Sequence, residues 1–176
     1  MDDSMVFVTS SQCRGITRRL RVVAEDFPGQ VAMTASSDPE ERGEAIAAAE
    51  VLMLADGHYT GPGCIDGLGL GLRRACPRIT ARVVIVGCCY SGERDFTDAV
   101  RPGLDRQVAY LGYSGMAPHD HAEIVFPPVL RALLDADFPG SADAATSIIN
   151  GSLAQLCAER PRKKSLALWH ARVLEP

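Results

Sequence analysis

The chain has 176 residues, 47% of them apolar and 23% charged, enough for one domain with a sizeable core. Its net charge of −4 argues against nucleic acid as the main partner, and the basic clusters at 18–21 and 160–164 interleave no aromatics on which bases would stack. No run approaches the roughly 18 apolar residues of a membrane span, and the acidic start Met1-Asp2-Asp3-Ser4 predicts no export signal, so the expectation is a cytoplasmic protein that does not engage a membrane and whose six cysteines are thiols.

Short apolar runs alternate with helical stretches, the pattern of a mostly parallel sheet covered by helices. Met5-Val6-Phe7-Val8 predicts a first strand. Residues 14–25 carry Ile16, Leu20 and Val23 at helical spacing and stop before Pro28-Gly29. A second strand is expected over 30–34. Ser37-Asp38-Pro39-Glu40 then opens a helix to about Ala49, with Asp38 as cap and Pro39 in the first turn. The third strand, 51–55, is apolar at every position, as when both sheet faces are covered. It ends in a polar, glycine-rich loop from Asp56 to Gly63, followed by a helix over 66–76. The fourth strand, 82–86, runs straight into Gly87-Cys88-Cys89-Tyr90-Ser91-Gly92. A helix over 95–100, a strand over 108–112, helices over 120–136 (with Asp120 as cap) and 142–159, and a last strand over 165–173 complete one domain spanning 1–176, without internal repeats.

Ligands of open parallel sheets bind outside the carboxyl ends of the strands. The unusual residues sit in such places, after the third, fourth and fifth strands. His58 follows the third and Cys89 the fourth; if these strands are neighbours, their ends lie roughly 5 Å apart. A thiol and an imidazole can then face one another, the imidazole taking the thiol proton during attack. Glycines beside both residues leave room for substrate backbone and free amides to meet an oxyanion. Cys88, one residue nearer the strand, faces the opposite way and is expected to pack beneath the helices. His119 and His121 flank Asp120 and open its helix; Trp169 reads as packing and His170 as surface. No cysteine pair has Cys-x-x-Cys spacing and no His lies within four residues of a Cys, so no zinc site is expected.

The order of apolar strand, Gly57-His58, a short interval, apolar strand and Gly-Cys-Cys-Tyr-Ser-Gly resembles the caspase-like cysteine peptidases, a family that includes metacaspases, legumains and separases, over roughly residues 50–135. The resemblance is closest in pattern to compact bacterial members. It implies a three-layer α/β sandwich with Cys89 as nucleophile and His58 as base. It also implies backbone amides near Tyr59 and Cys89 as oxyanion donors, and Asp56, Gly87, Tyr113 and Ser114 beside the substrate. Two positions depart from the family. Gly87 stands where relatives that cleave after Arg or Lys carry an Asp, and Tyr59 stands where a Gly usually follows the His. The expectation is a cysteine-dependent peptidase acting through a thioester, needing no metal or cofactor, on a peptide or protein substrate, as a homodimer or with a partner protein. The alternative is a degenerate caspase-like module serving protein interaction. A small-ligand α/β domain is disfavoured, since no Gly-x-Gly-x-x-Gly or Gly-Lys-Ser/Thr loop follows a strand.

Overall fold

The structure is a computed structural model that describes residues 5–8, 14–28, 31–34, 51–54, 59–61, 64–65, 78–118 and 120–176. The chain is mixed α/β. Strand β1 (Met5–Val8) pairs in parallel with β2 (Val31–Thr34), Met5 opposite Val31. A second sheet has the order β3-β6-β7-β8, from β3 (Val51–Leu54), β6 (Val83–Val86), β7 (Val108–Tyr113) and β8 (Trp169–Leu174). β3, β6 and β7 run parallel, and β8 returns antiparallel to β7. β1 lies beside β3. A small antiparallel pair joins β4 (Tyr59–Gly61) to β5 (Cys64–Ile65), inside and just after the stretch expected to be an irregular loop.

The wholly apolar runs behave as runs buried on both faces must: every residue of β6 and β7 is buried. On one face Val83, Ile85, Ala109, Leu111 and Tyr113 share a core with Ile16, Leu20 and Val23 of helix α1 (Arg14–Glu25). Helices α3 (His121–Asp135) and α4 (Ala142–Glu159) add Val125, Phe126, Val129, Ile149 and Leu153 to that core. Val84, Val86 and Tyr110 point the other way, the side-chain period of a strand being two. Arg172, in register with Tyr110, reaches the Thr97 hydroxyl (3.2 Å) of helix α2 (Arg94–Val100), whose Phe96, Thr97 and Val100 are buried.

α3 contains Pro127 and Pro128, which deprive the carbonyls of Glu123 and Ile124 of their helical donors. The helix persists because Val125, Phe126, Val129, Leu130 and Leu133 are completely buried around them. α4 begins at Ser141, whose hydroxyl accepts the Ala144 amide at 3.2 Å. Halfway along, the Asn150 side chain donates to the Ala171 carbonyl (3.2 Å) and accepts from the Ala171 amide (3.1 Å), tying α4 to the end strand of the sheet. The run 165–173, expected as one strand, divides. Residues Lys164–Leu168 form a 3-10 turn and the strand starts at Trp169. An apolar run alone does not separate those two conformations.

Candidate active site

β6 ends at Val86 and the chain turns at once, leaving Cys88 buried and Cys89 partly exposed. The two thiols meet different surroundings. Cys88 is pushed up to about 12, first by burial and then by the neighbouring charge of Cys89. It therefore stays a neutral, packed thiol at any physiological pH. The buried phenol of Tyr110 is raised well above its ordinary value by burial and then by Cys88, with Arg172 opposing. Tyr113 is raised too, by burial and then by the charge of Cys89. Tyr110 and Tyr113 point to opposite faces of β7, so the thiols divide between the two faces in the same way.

The Cys89 sulfur accepts the Ala117 amide at 3.3 Å and lies 4.0 Å from the Ala117 carbonyl oxygen. These contacts fix the sulfur against the loop that follows β7. The Cys89 amide itself has no acceptor among the described residues. Tyr90 comes next with φ of 59°, in the left-handed region that a bulky side chain rarely adopts. Its amide donates to the Gly115 carbonyl at 2.7 Å and its carbonyl accepts from Glu93 at 3.0 Å, and these bonds hold the turn.

The next two residues anchor this turn to the sheet. The Ser91 hydroxyl is wholly buried, donating to the Val86 carbonyl (2.9 Å) and accepting the Tyr113 amide (3.0 Å). Tyr110 donates its hydroxyl to the Ser91 carbonyl at 2.7 Å. The Gly92 amide donates to the Tyr113 carbonyl at 2.9 Å, and Arg172 of β8 reaches the Gly92 carbonyl at 2.7 Å and the Thr97 hydroxyl at 3.2 Å. The glycines here serve close packing. A Cβ on Gly112 would lie 2.7 Å from the Gly92 nitrogen and from the Ser91 oxygen, inside backbone contact distance. The Gly92 amide, committed to Tyr113, is not among the free amides of this turn.

The expected site residues fall in several places. Asp56 and His58 lie outside the described residues, as do His119 and the helix over 66–76. What is described is their approach: β3 pairs with β6 in register, Leu54 opposite Val86, so the segments bearing His58 and Cys89 leave the sheet at the same end of adjacent strands. Tyr59 sits in β4 opposite Ile65. Gly87 follows β6, partly buried. Tyr113, expected beside a substrate, is only 1% exposed and lies edge-on against His121 (5.6 Å) and Trp169 (5.2 Å), a buried support beneath the Cys89 loop. Ser114 is partly exposed, but its amide is spent on the Leu168 carbonyl at 3.0 Å.

His121 is likewise interior, 2% exposed. Its Nδ1 accepts the Trp169 indole N–H at 3.4 Å, which leaves Nε2 to donate to the Ser165 hydroxyl at 3.2 Å. Burial holds it below its ordinary 6.5, against the opposing pull of Asp120. Asp120 stands at the start of α3 but makes no side-chain cap. Its carboxylate instead pairs with Lys163, and that hydrogen bond draws it below its ordinary value.

Three contributors escape a sequence reading. Ala117 acts through its backbone amide, which nearly any residue supplies, while Tyr110 and Arg172 act by reaching across strands that only the folded sheet makes neighbours. Beside Tyr90 an open cleft of about 370 Å³ is lined by Glu93, Arg94, Asp95 and Phe96. Among the described residues no His, Cys, Asp and Glu side chains gather as a metal site requires, and no helix is long and apolar enough to cross a membrane. No protein-family model matches the sequence, and neither does any curated protein.

Proposed function

We propose that the chain is a caspase-like α/β domain acting as a cysteine-dependent hydrolase of a peptide or related acyl bond. The observation that carries this reading is the setting of Cys89. It is a partly exposed thiol at the carboxyl end of a buried strand, its sulfur fixed by the Ala117 amide and its own amide without an acceptor among the described residues. In this reading the sulfur attacks the substrate carbonyl while His58 takes the thiol proton. The carbon–nitrogen bond then breaks and His58 returns that proton to the leaving amine. Water cleaves the resulting thioester, freeing the acid and restoring the thiol. The Cys89 amide, with that of Tyr59, donates to the oxyanion. Asp56, Gly87 and Ser114 border the substrate, Tyr113 supports the loop from below, and neither metal nor cofactor takes part.

An electrophilic thiol probe, with the modified residue located by mass spectrometry, tests the reading together with Cys89→Ala and His58→Ala variants. Cys89 should be the residue labelled. Turnover of an acyl substrate should vanish in Cys89→Ala and fall about 10²- to 10⁴-fold in His58→Ala. Folded wild-type protein with neither labelling at Cys89 nor turnover would instead favour the interaction module, the alternative to which the Gly87 and Tyr59 departures point.

A further inference from the structure

Four large hydrophobic residues are conspicuously exposed among the described residues: Val22, Tyr90, Met116 and Leu168. Three of them, far apart in sequence, belong to segments that are bonded to one another around Cys89. Tyr90 adjoins Cys89, and its amide donates to Gly115; Met116 adjoins Ala117, which holds the sulfur; and the Leu168 carbonyl accepts the Ser114 amide. Tyr90 is 39% exposed, Met116 75% and Leu168 44%. Leaving such side chains in water forgoes the gain that burial would bring, and their grouping on bonded segments beside one thiol sets this rim apart from apolar residues scattered singly over a surface. Tyr90 also has a left-handed backbone, a strained conformation of the kind that gathers at functional sites.

We infer that this rim receives a bulky apolar side chain, aromatic or branched aliphatic, from the acyl part of the substrate next to the bond that Cys89 attacks. The inference rests on Cys89 being the nucleophile, and it goes further by naming what the nucleophile acts on. The occupant is a substrate because the three residues stand on the segments whose backbone bonds hold the part-exposed sulfur: Tyr90 follows Cys89 directly, Met116 precedes the Ala117 that binds it, and Leu168 is tied to Ser114 of the same loop. The neighbouring cleft offers the competing choice, since Glu93 and Asp95 on its wall would suit a basic side chain.

The experiment compares labelling rates of the full chain by peptidyl ketone electrophiles that differ only in the side chain beside the ketone: Phe, Leu, Ala, Glu and Lys. A small haloacetamide serves as the side-chain-free reagent. The Phe and Leu probes should label Cys89 about tenfold or more faster than the Ala, Glu and Lys probes, the range expected when an apolar group fills an apolar site. Met116→Lys should erase most of that preference, and Val22→Lys, on the exposed face of α1, should leave it intact. Equal rates for all five peptidyl probes, with the haloacetamide still labelling Cys89, would overturn the apolar site and leave the nucleophile standing. A preference for the Lys probe would move the side chain into the cleft of Glu93 and Asp95 and overturn it equally. Absence of Cys89 labelling by every reagent would sink the nucleophile and this inference together. Sedimentation at the labelling concentration completes the test: a self-association abolished by Met116→Lys, with slow labelling in the associated form, would assign the rim to a second copy and refute the substrate assignment.

Discussion

Cys88 and Cys89 are the same chemical group one residue apart, and the fold assigns them opposite fates. Cys88 lies on the Tyr110 side and is raised to about 12, so its sulfur is a small hydrophobe. Cys89 is partly exposed and fixed by Ala117. Cys88→Ala should therefore cost about 1 kcal/mol in denaturant unfolding while turnover survives. Cys89→Ala should do the reverse, with turnover gone and the unfolding midpoint nearly unchanged. Both are measured on folded protein, so that a destabilised Cys88 variant does not pass for an inactive one. Full activity in both variants on a validated acyl substrate would remove the thiol from the mechanism.

At the scale of elements, the turn after β6 depends on β7 having no side chain at Gly112. There the Ser91–Gly92 backbone occupies the volume a Cβ would take. Gly112→Ala must push these segments apart and should lower stability by about 1–3 kcal/mol, with a larger proportional loss in Cys89 labelling than in helix content. Unaltered labelling and melting would show that the turn yields freely. Much of this layer was legible beforehand. β3, β6 and β7 come from apolar runs, and α1 carries Ile16, Leu20 and Val23 at helical spacing. The β4–β5 pair was not legible, because strands of three and two residues with a shifted register show no periodicity. Asp120 looks like a cap by position, yet its partner, Lys163, lies 43 residues away, a contact only the tertiary fold creates. Cys89 stood out by type and by following a strand, whereas the Ala117 contact is made by backbone and leaves no trace in residue identity.

For the whole molecule, His121 links stability to pH. It faces Tyr113, Trp169 and Ser165 in the interior, with Asp120 and Lys163 as its charged neighbours. Its folded value is depressed below 6.5, so the unfolded chain binds the proton more readily. The stability tied to the neutral ring is complete above 6.5 and is lost as pH falls below it, through the folded value. The urea midpoint should thus decline between about pH 7 and pH 5, and His121→Gln, which can still accept from Trp169 and donate to Ser165, should flatten that decline. An equally steep decline in the variant would assign the effect to other groups. Asp120, lowered by Lys163, acts in a separate, more acidic window, below its ordinary 3.8.

Asn150 also bears on how this molecule meets others. Among the described residues β8 is the last strand on its side of the sheet, where the outward backbone groups of an end strand offer a template to any extended chain that drifts past. At Ala171, the middle of that strand, one carboxamide already fills both positions, as the peptide group of a neighbouring strand would. A newcomer pairing at this point of β8 must break two formed hydrogen bonds before making its own. That border of the sheet is thereby guarded against polymerisation by an ordinary polar residue on a neighbouring helix.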